Sequence, residues 1–415
     1  MLVFREHNRL RDLSETDEAK LKQFALENQT DQQGRYCPVL SVRNGRLHAG
    51  RYVGVIETRG GTVLEILPKV DFVDDDEEST RKVFLRMLRT YRGLRAAQFN
   101  ETGISELRYF NMLDIFVRLF LTNLVLLTQR GLARQYRGVE DNLPWLRGRI
   151  QFPHHIRRNA VNRARFHVAF DEFTADRPEN RLIHSAIHKL RSVTHPDNHQ
   201  LLHQLRICFS EVPRSARPEV DWERHRIDRS MRHYDAVMAW VGLFLFHHGL
   251  VTFSGRHVNQ ALLFPMEEVF EDFVADAFRR HQRVYGIRTQ GPKKAFARID
   301  GKDAFHLKPD IALVRSGEVQ FVLDSKWKKE VRNDGKDPKH GVIQDDIYQL
   351  YSYGRKFGCA TVALIYPRTR TFDSPLRYEF RDKVAGQGLT LFCFPFDVVR
   401  PEKSVREIMQ RLTGQ

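Results

Sequence analysis

Cysteine is scarce in this sequence, which has 4 among 415 residues and no CxxC pair. This scarcity excludes a disulfide-rich scaffold and a cysteine-based zinc site, and it favours a reducing compartment. The sequence also has no GxxxxGK[ST] phosphate loop and no HExxH pair. We therefore expect neither a nucleotide-hydrolysing motor within this chain nor a zinc site of the protease type.

Long hydrophobic runs are missing as well. The first residues mix charged and apolar side chains, so no export signal is predicted. The longest apolar stretch, Met112 to Thr128, carries Asp114, Arg118 and Asn123. It is predicted to be a buried amphipathic helix and not a membrane span. We expect a cytoplasmic protein that has no membrane partner.

Positive charge is what the sequence has in excess. Lys and Arg number 67 and Asp and Glu number 52, which leaves a net charge of +15. Such an excess favours a polyanionic partner, most often nucleic acid, although an unrelated basic enzyme is the alternative. With 41% hydrophobic and 29% charged residues, the composition is that of an ordinary globular protein.

Three regions differ in their patterns: residues 1–104, 105–260 and 261–415. The first is β-rich, with a hairpin signal at Asn44-Gly45. Its predicted strands are Val39–Arg43, Tyr52–Glu57 and Thr62–Leu67, followed by a helix over Ser79–Tyr91. The middle region is mainly helical because apolar residues recur at helical spacing. Its predicted helices are Met112–Gln129, Asn180–Val193 and Tyr234–His247.

The last region alternates helices and strands in the order α-β-β-β-α-β, with a hairpin signal at Ser316-Gly317. Its β-helix-β connection predicts a sheet of mixed pairing. The predicted elements are a helix that starts after Pro265 and runs to about His281, strands near Val284–Arg288, Phe305–Val314 and Val319–Leu323, a helix over Val342–Phe357, strands at Thr361–Tyr366 and Leu389–Phe394, and a terminal helix. The predicted fold is thus mixed α+β with a C-terminal α/β core.

A basic segment lies in the middle region. Its arginines suit phosphate groups, and interspersed aromatic residues such as Phe152 and Phe166 suit stacking on bases. A solvated basic face and an acidic protein partner are the alternatives. The candidate DNA-binding residues of this segment are Arg147, Arg149, Arg157 and Arg158.

Acidic residues mark one end of two predicted strands. Asp310 begins the second strand and Asp324 closes the third, so a hairpin turning at Ser316-Gly317 places both carboxylates at its open end. Lys326 points to the same side as Asp324 because side chains alternate along a strand. Two carboxylates and a lysine form a candidate site for Mg²⁺, with Mn²⁺ as the alternative, and for phosphodiester hydrolysis.

These residues resemble the PD-(D/E)xK nuclease signature, and the αβββαβ order matches the core of that superfamily. Gln349 and Tyr353 resemble the QxxxY motif of RecB-type members; they lie one turn apart on the predicted helix. The resemblance implies catalytic roles for Asp310, Asp324, Lys326, Glu271 and Gln349. It implies that Asp310, Asp324 and Glu271 bind the metal, with Glu267 as the alternative to Glu271. Tyr353 is a further candidate DNA contact.

Four further blocks, in order along the chain, resemble McrC, the nuclease subunit of McrBC-type modification-dependent restriction systems. The resemblance implies a McrB-like AAA+ GTPase hexameric ring as partner, which this chain stimulates and docks on through residues 1–104. It also implies cleavage of double-stranded DNA, in particular modified DNA. The blocks are Leu64–Val70, Leu146–Ile150, Phe170–Asp176 with Glu179–Arg181, and Pro265–Glu271.

The leading hypothesis is therefore a Mg²⁺-dependent endodeoxyribonuclease subunit of a McrBC-like restriction complex in anti-phage defence. One alternative is a non-catalytic adaptor that activates the GTPase and carries a vestigial nuclease site. Another is an autonomous repair nuclease that cuts without a partner.

Overall fold

The computed structural model describes residues 2–27, 29, 38–58, 62–71, 76–94, 111–191, 194–246, 258–328, 331–333, 335, 337–384 and 387–414. Over these ranges the chain is mixed α/β. The N-terminal elements are β1 (Leu2–Arg5), α1 (Glu15–Glu27), β2 (Leu40–Arg43), β3 (Arg46–Ala49), β4 (Tyr52–Thr58), β5 (Val63–Leu67) and α2 (Glu77–Leu88).

The middle elements are α3 (Met112–Gln129), β6 (Gln135–Leu143), β7 (Arg149–Ile150), α4 (Phe152–Asn159), β8 (Phe166–Thr174), α5 (Pro178–Leu190), α6 (Pro196–Cys208), α7 (Pro218–Arg224) and α8 (Asp235–Phe246). The C-terminal elements are β9 (Val258–Pro265), α9 (Met266–His281), β10 (Gly286–Thr289), β11 (Lys294–Ile299), β12 (Lys302–Leu307), β13 (Ile311–Arg315), β14 (Glu318–Ser325), α10 (Gln344–Phe357), β15 (Thr361–Pro367), β16 (Leu376–Val384), β17 (Gln387–Phe396) and α11 (Pro401–Thr413).

Two compact units are present. Unit 1 combines Met1–Arg95 with Gly249–Gln415, and unit 2 is Ala96–His248. The first and third regions of the sequence therefore belong together, because β9 pairs antiparallel with β4. Hydrophobic periodicity reports the existence of a strand and not its distant partner, so this pairing was not predicted.

A four-stranded sheet of order β1-β5-β4-β9 forms the N-terminal part of unit 1. Gly54 in β4 has φ of +138°, a conformation that side chains disfavour. A Cβ atom at Gly54 would lie 2.0 Å from the carbonyl oxygen of Leu262. Glycine therefore allows β9 to approach β4 closely. The hairpin predicted at Asn44-Gly45 is confirmed, since β2 and β3 pair across it.

A six-stranded sheet of order β10-β13-β14-β15-β17-β16 forms the C-terminal part of unit 1. The predicted mixed pairing is confirmed: β13 and β14 are antiparallel, whereas β14 and β15 are parallel. Helix α10 covers one face of this sheet through a cluster of buried residues that includes Val322, Leu350 and Leu364. Helix α9 covers the other face, where Phe270 and Phe273 contact Phe396.

One predicted strand of this sheet was too long. The segment Phe305–Val314 contains the end of β12 and all of β13 except Arg315, and the two strands are separated around Pro309. Strands β11 and β12 pair with each other in a separate hairpin. The hairpin was missed because its side chains are mostly exposed, so it lacks the alternation of a half-buried strand.

Unit 2 contains a helical core and a small sheet. Its helix α3 is confirmed at Met112–Gln129, and 67% of that apolar segment is buried inside the protein. This helix is long and apolar enough to cross a membrane by length and composition alone, yet it packs on α6 and α8 as a core helix does. The antiparallel sheet β6-β8-β7 was not predicted in a region expected to be mainly helical.

Candidate active site

Asp310 and Asp324 lie together at the open end of the β13–β14 hairpin. The strand register pairs Ile311 with Leu323, and its continuation sets Asp310 opposite Asp324. Asp310 Oδ2 accepts hydrogen bonds from the backbone N–H of Ser325 at 2.8 Å and from its hydroxyl at 2.9 Å. The structure thus brings the two predicted carboxylates to one place and fixes the first of them.

Lys326 follows the end of β14 and forms an ion pair with Asp324, on the side predicted by strand alternation. Its backbone N–H donates to the carbonyl of Ile365 at 2.9 Å, which continues the parallel pairing with β15. The Asp324 side chain is 1% exposed and that of Lys326 is 21% exposed. A buried carboxylate therefore has a cation at contact distance, and the ammonium group keeps some access to solvent.

Glu271 reaches the site from α9. Its carboxylate accepts a hydrogen bond from Gln290, and its Oε1 lies 2.8 Å from Nη2 of Arg92. Glu267, the alternative candidate, lies one turn earlier and forms an exposed ion pair with Arg51 at 3.1 Å. The charge of Asp310 helps to raise the pKa of Glu271, so the two carboxylates lie close enough to interact.

Gln349 and Tyr353 lie on one face of α10, as their spacing predicted. Gln349 Nε2 donates to the Tyr353 hydroxyl at 2.9 Å and lies 3.5 Å from Asp324 Oδ1. The Tyr353 hydroxyl in turn donates to the backbone carbonyl of Lys308 at 3.1 Å. Tyr353 is 3% exposed. This burial argues against the DNA contact predicted for Tyr353, because its hydroxyl is bonded inside the protein.

Burial and mutual repulsion perturb the acids of the site. Burial, and then the charge of Asp310, raise the pKa of Asp324 to about 7 and that of Glu271 to about 8. Burial likewise raises the pKa of Asp310, although hydrogen bonds from Ser325 oppose the shift. For Lys326, burial lowers the pKa, but the charge and hydrogen bond of Asp324 together with the charges of Asp310 and Asp346 outweigh it, so the net pKa is raised. Such perturbed groups are typical of functional sites.

The carboxylate oxygens of Asp310 and Asp324 are suitable ligands for Mg²⁺. Magnesium is commonly held by one or two carboxylates, and water and substrate phosphate oxygens complete its shell. Asp310 and Asp324 supply oxygen ligands of this kind, and a bound cation relieves the repulsion between them. Among the described residues, no three His, Cys, Asp or Glu side chains are grouped closely enough to hold a metal. A direct ligand role for Glu271 therefore stays a prediction.

Two residues of the site were missed by sequence reasoning. Arg92 belongs to a 3₁₀ turn over Arg92–Leu94, far from the nuclease-like motif in the chain. The backbone N–H of Gln290 donates to the carbonyl of Asp310 at 2.9 Å, and this hydrogen bond holds Gln290 beside the site. Gln290 precedes Gly291-Pro292, a turn signal that could have marked the loop. No local pattern pointed to Arg92.

The basic segment lies in unit 2. Its four candidate arginines are exposed, and the guanidinium of Arg147 stacks over the ring of Phe170 at 4.0 Å. Phe152 is 64% exposed, whereas Phe166 stacks on His155. The segment therefore presents positive charge and some aromatic surface, and its DNA-binding role stays a prediction. The candidates are Arg147, Arg149, Arg157 and Arg158.

Solved structures with the same fold exist. One is described as a refined half-complex from a tetradecameric assembly of Thermococcus gammatolerans McrB AAA+ hexamers with bound McrC. It matches with a TM-score of 0.73 at 21% identity, covering 99% of this chain and 99% of that one. Another, a cryo-EM structure of the Thermococcus gammatolerans McrBC complex, matches with a TM-score of 0.53 at 23% identity. That match covers 69% of this chain and 89% of that one.

No curated protein matches the chain. A family model does match, over residues 47–367, and it describes the McrBC 5-methylcytosine restriction system component. This match spans the predicted McrC-like blocks and the acidic hairpin. The chain therefore belongs to the family of McrBC 5-methylcytosine restriction system components.

Proposed function

We propose that this chain is the DNA-cleaving subunit of a McrBC-type restriction complex, acting as a Mg²⁺-dependent endonuclease. The observation that carries the proposal is the meeting of Asp310, Asp324 and Lys326 at the open end of one buried hairpin. The αβββαβ order around them supports a PD-(D/E)xK core. Family membership supports the restriction role.

In this proposal each polar residue at the open end of the β13–β14 hairpin has a distinct role. Asp310 and Asp324 would hold Mg²⁺, which when bound polarises the scissile phosphate and lowers the pKa of a coordinated water. Lys326, paired with Asp324, orients the attacking water and stabilises negative charge that develops on the phosphate. Ser325 fixes the Asp310 carboxylate through two hydrogen bonds.

Supporting residues keep this arrangement in place. Gln349 contacts Asp324 and bonds to Tyr353, which ties α10 to the backbone of Lys308 just before Asp310. Loss of Gln349 would leave Asp324 without its neighbour from α10. We therefore assign Gln349 a positioning role, in keeping with the supporting place predicted for it among the catalytic residues.

A separate chain supplies the motor in this proposal. The similar solved structure is described as McrB AAA+ hexamers with bound McrC, and the present sequence has no phosphate loop. We propose a McrB-like AAA+ GTPase ring as partner and double-stranded DNA carrying modified bases as substrate. Docking through residues 1–104 stays a prediction from the resemblance.

Plasmid cleavage tests the proposal. Purified chain, Mg²⁺, the neighbouring AAA+ partner and nucleotide are combined with methylated plasmid, and Asp324→Asn and Lys326→Ala are compared with wild type. Glu318→Gln is the matched control, because Glu318 lies at the far, exposed end of the same strand β14. We expect about 10³-fold or greater loss of cleavage in the two site variants and none in the control.

Three other outcomes would contradict the proposal or favour a different function. Cleavage that persists in Asp324→Asn and Lys326→Ala would show that the hairpin is not the catalytic site. Cleavage by wild type without partner or nucleotide would favour the autonomous nuclease. Stimulated nucleotide hydrolysis with no cleavage under any condition would favour the adaptor.

A further inference from the structure

The N-terminal segment of unit 1, residues 1–95, contacts the candidate site at a first point through Arg92. Its Nη2 lies 2.8 Å from Oε1 of Glu271. Its Nε and its backbone N–H both donate to Oδ2 of Asp272, at 2.9 and 2.7 Å. One guanidinium group therefore holds two successive carboxylates of α9, and its own backbone is held by the second of them.

The same segment contacts the site at a second point through Glu6, which is 2% exposed. Its Oε1 accepts hydrogen bonds from the indole N–H of Trp327 and from the backbone N–H of Lys69, each at 2.8 Å. Trp327 directly follows Lys326, so the orientation of its ring limits where the backbone of Lys326 can lie. Trp327 also contacts Phe270, with ring centroids 5.1 Å apart.

Both contacts act on helix α9. Phe270 precedes Glu271 on α9, so the Trp327 ring links the lysine to the helix that Arg92 holds. Helix α9 itself begins at Met266, directly after β9, whose pairing with β4 makes it the edge strand of the N-terminal sheet. The N-terminal segment thus orients α9 at its start, at Glu271 and through Trp327.

We propose that Arg92 and Glu6 are positioning residues of the nuclease site, which makes the N-terminal segment part of the catalytic unit. Arg92 fixes the Glu271 carboxylate beside Asp310, and Glu6 fixes Trp327 and with it the neighbouring Lys326. Groups that support catalytic residues in this way commonly change activity 10–100-fold when removed. The inference rests on the proposed function, because it assumes that Lys326 is catalytic.

The experiment compares variants of the full chain in the plasmid assay with partner, nucleotide and Mg²⁺. Glu6→Ala and Arg92→Ala are expected to lower kcat about 10-fold or more while KM for DNA changes less than about 2-fold. Glu6→Gln keeps an oxygen acceptor for Trp327 and Lys69, so most of the lost kcat should return. That rescue distinguishes the hydrogen bond from the charge.

Arg51→Ala is the matched control. Arg51 belongs to the same segment and pairs with Glu267 on the same helix, but both side chains are about half exposed. We expect kcat to stay within about 2-fold of wild type, because surface ion pairs contribute little. If Glu6→Ala fails to fold, Trp327→Phe removes the same hydrogen bond and keeps a ring against Phe270; it should show the same loss of kcat.

The outcomes separate this inference from the proposed function. Lys326→Ala is run beside the variants: cleavage that survives in it overturns the proposed function itself. If Lys326→Ala abolishes cleavage while Glu6→Ala and Arg92→Ala keep wild-type kcat, the positioning role alone is overturned. A loss that disappears once rates are corrected for the folded fraction, measured by circular dichroism, also overturns it.

Discussion

At the scale of single residues, the balance of buried charge differs between the two units. A charge persists in a protein interior when a counter-charge or hydrogen bonds replace the water it loses. In the candidate site two carboxylates, Asp310 and Asp324, share one lysine, and burial raises their pKa values. In unit 2 Asp221 pairs with Arg181, which also contacts Asp176, and the hydrogen bonds from Arg181 lower the pKa of Asp221. The first arrangement favours binding of a cation and the second favours stability.

Asp221→Asn should therefore destabilise unit 2. Arg181 donates to both Asp221 oxygens, at 2.6 and 3.0 Å, and the Ser215 hydroxyl donates at 2.6 Å. We expect a loss of about 1–3 kcal/mol at neutral pH, measured by hydrogen exchange of amides in α5 and α7. Glu211→Gln is the control: Glu211 is 82% exposed and its replacement should cost less than about 0.5 kcal/mol.

The pH dependence of that loss follows from the sign of the shift. Because the folded-state pKa of Asp221 is lowered, its stabilisation is fully present above the unfolded pKa of about 3.9. It is lost as pH falls through the lower folded value. The difference between wild type and Asp221→Asn should therefore shrink below about pH 4. An equal difference at pH 3 and pH 7 would contradict this account.

The residues of the site could be predicted to the extent that they are local in sequence. Asp310, Asp324 and Lys326 fall within one hairpin, so strand alternation and a single turn signal sufficed to bring them together. Arg92 and Gln290 escaped because no short-range pattern connects them to Glu271. Their contacts depend on tertiary packing between distant parts of the chain.

At the scale of elements, helices and strands with one buried and one exposed face could be predicted from the sequence. Elements that are exposed on both faces could not. Helix α9 is expected to start after Pro265 and run to about His281, because its apolar stripe is regular, and it spans Met266–His281. The hairpin β11–β12 is mostly exposed and the strand β6 has no clean alternation. Neither has a buried face to produce the period-two signal.

Gly54→Ala tests the close approach of two elements. The positive φ at Gly54 and the 2.0 Å distance from its Cβ position to the Leu262 carbonyl leave no room for a methyl group. We expect unit 1 to lose on the order of 3 kcal/mol, measured by hydrogen exchange of β4 and β9 amides. Gly138→Ala is the matched strand control, since its Cβ would meet only Asp171 Oδ1, at 3.8 Å. Equal effects of the two substitutions would refute the packing argument.

At the scale of the whole molecule, the units differ in how the chain builds them. Unit 2 is one continuous segment, with large buried rings such as Phe116, Phe120 and Trp240 in its core. Unit 1 is built from two segments joined at β4 and β9. In that unit Phe264 of β9 packs against Phe84 and Tyr91 of the N-terminal segment.

Isolated fragments should reflect this difference. Residues 96–248 should fold alone and unfold cooperatively on heating, because buried rings of α3 and α8 pack against each other within this segment. Residues 249–415 should aggregate or unfold at lower temperature, because β9 becomes an unpaired edge strand with an exposed Phe264. Circular dichroism melting and size-exclusion chromatography measure both. Monomeric, cooperatively folded 249–415 would contradict the prediction, and recovery on adding residues 1–95 would support it.

The split origin of unit 1 also sets a sequence of events on the ribosome. At about 5–20 residues per second, strand β4 waits on the order of ten seconds until β9 emerges, while unit 2 is synthesised between them. Lys326 and α10 follow β9 in the chain, so they appear later still. A polypeptide truncated before that point would lack Lys326, and with it part of the site that we propose cleaves DNA.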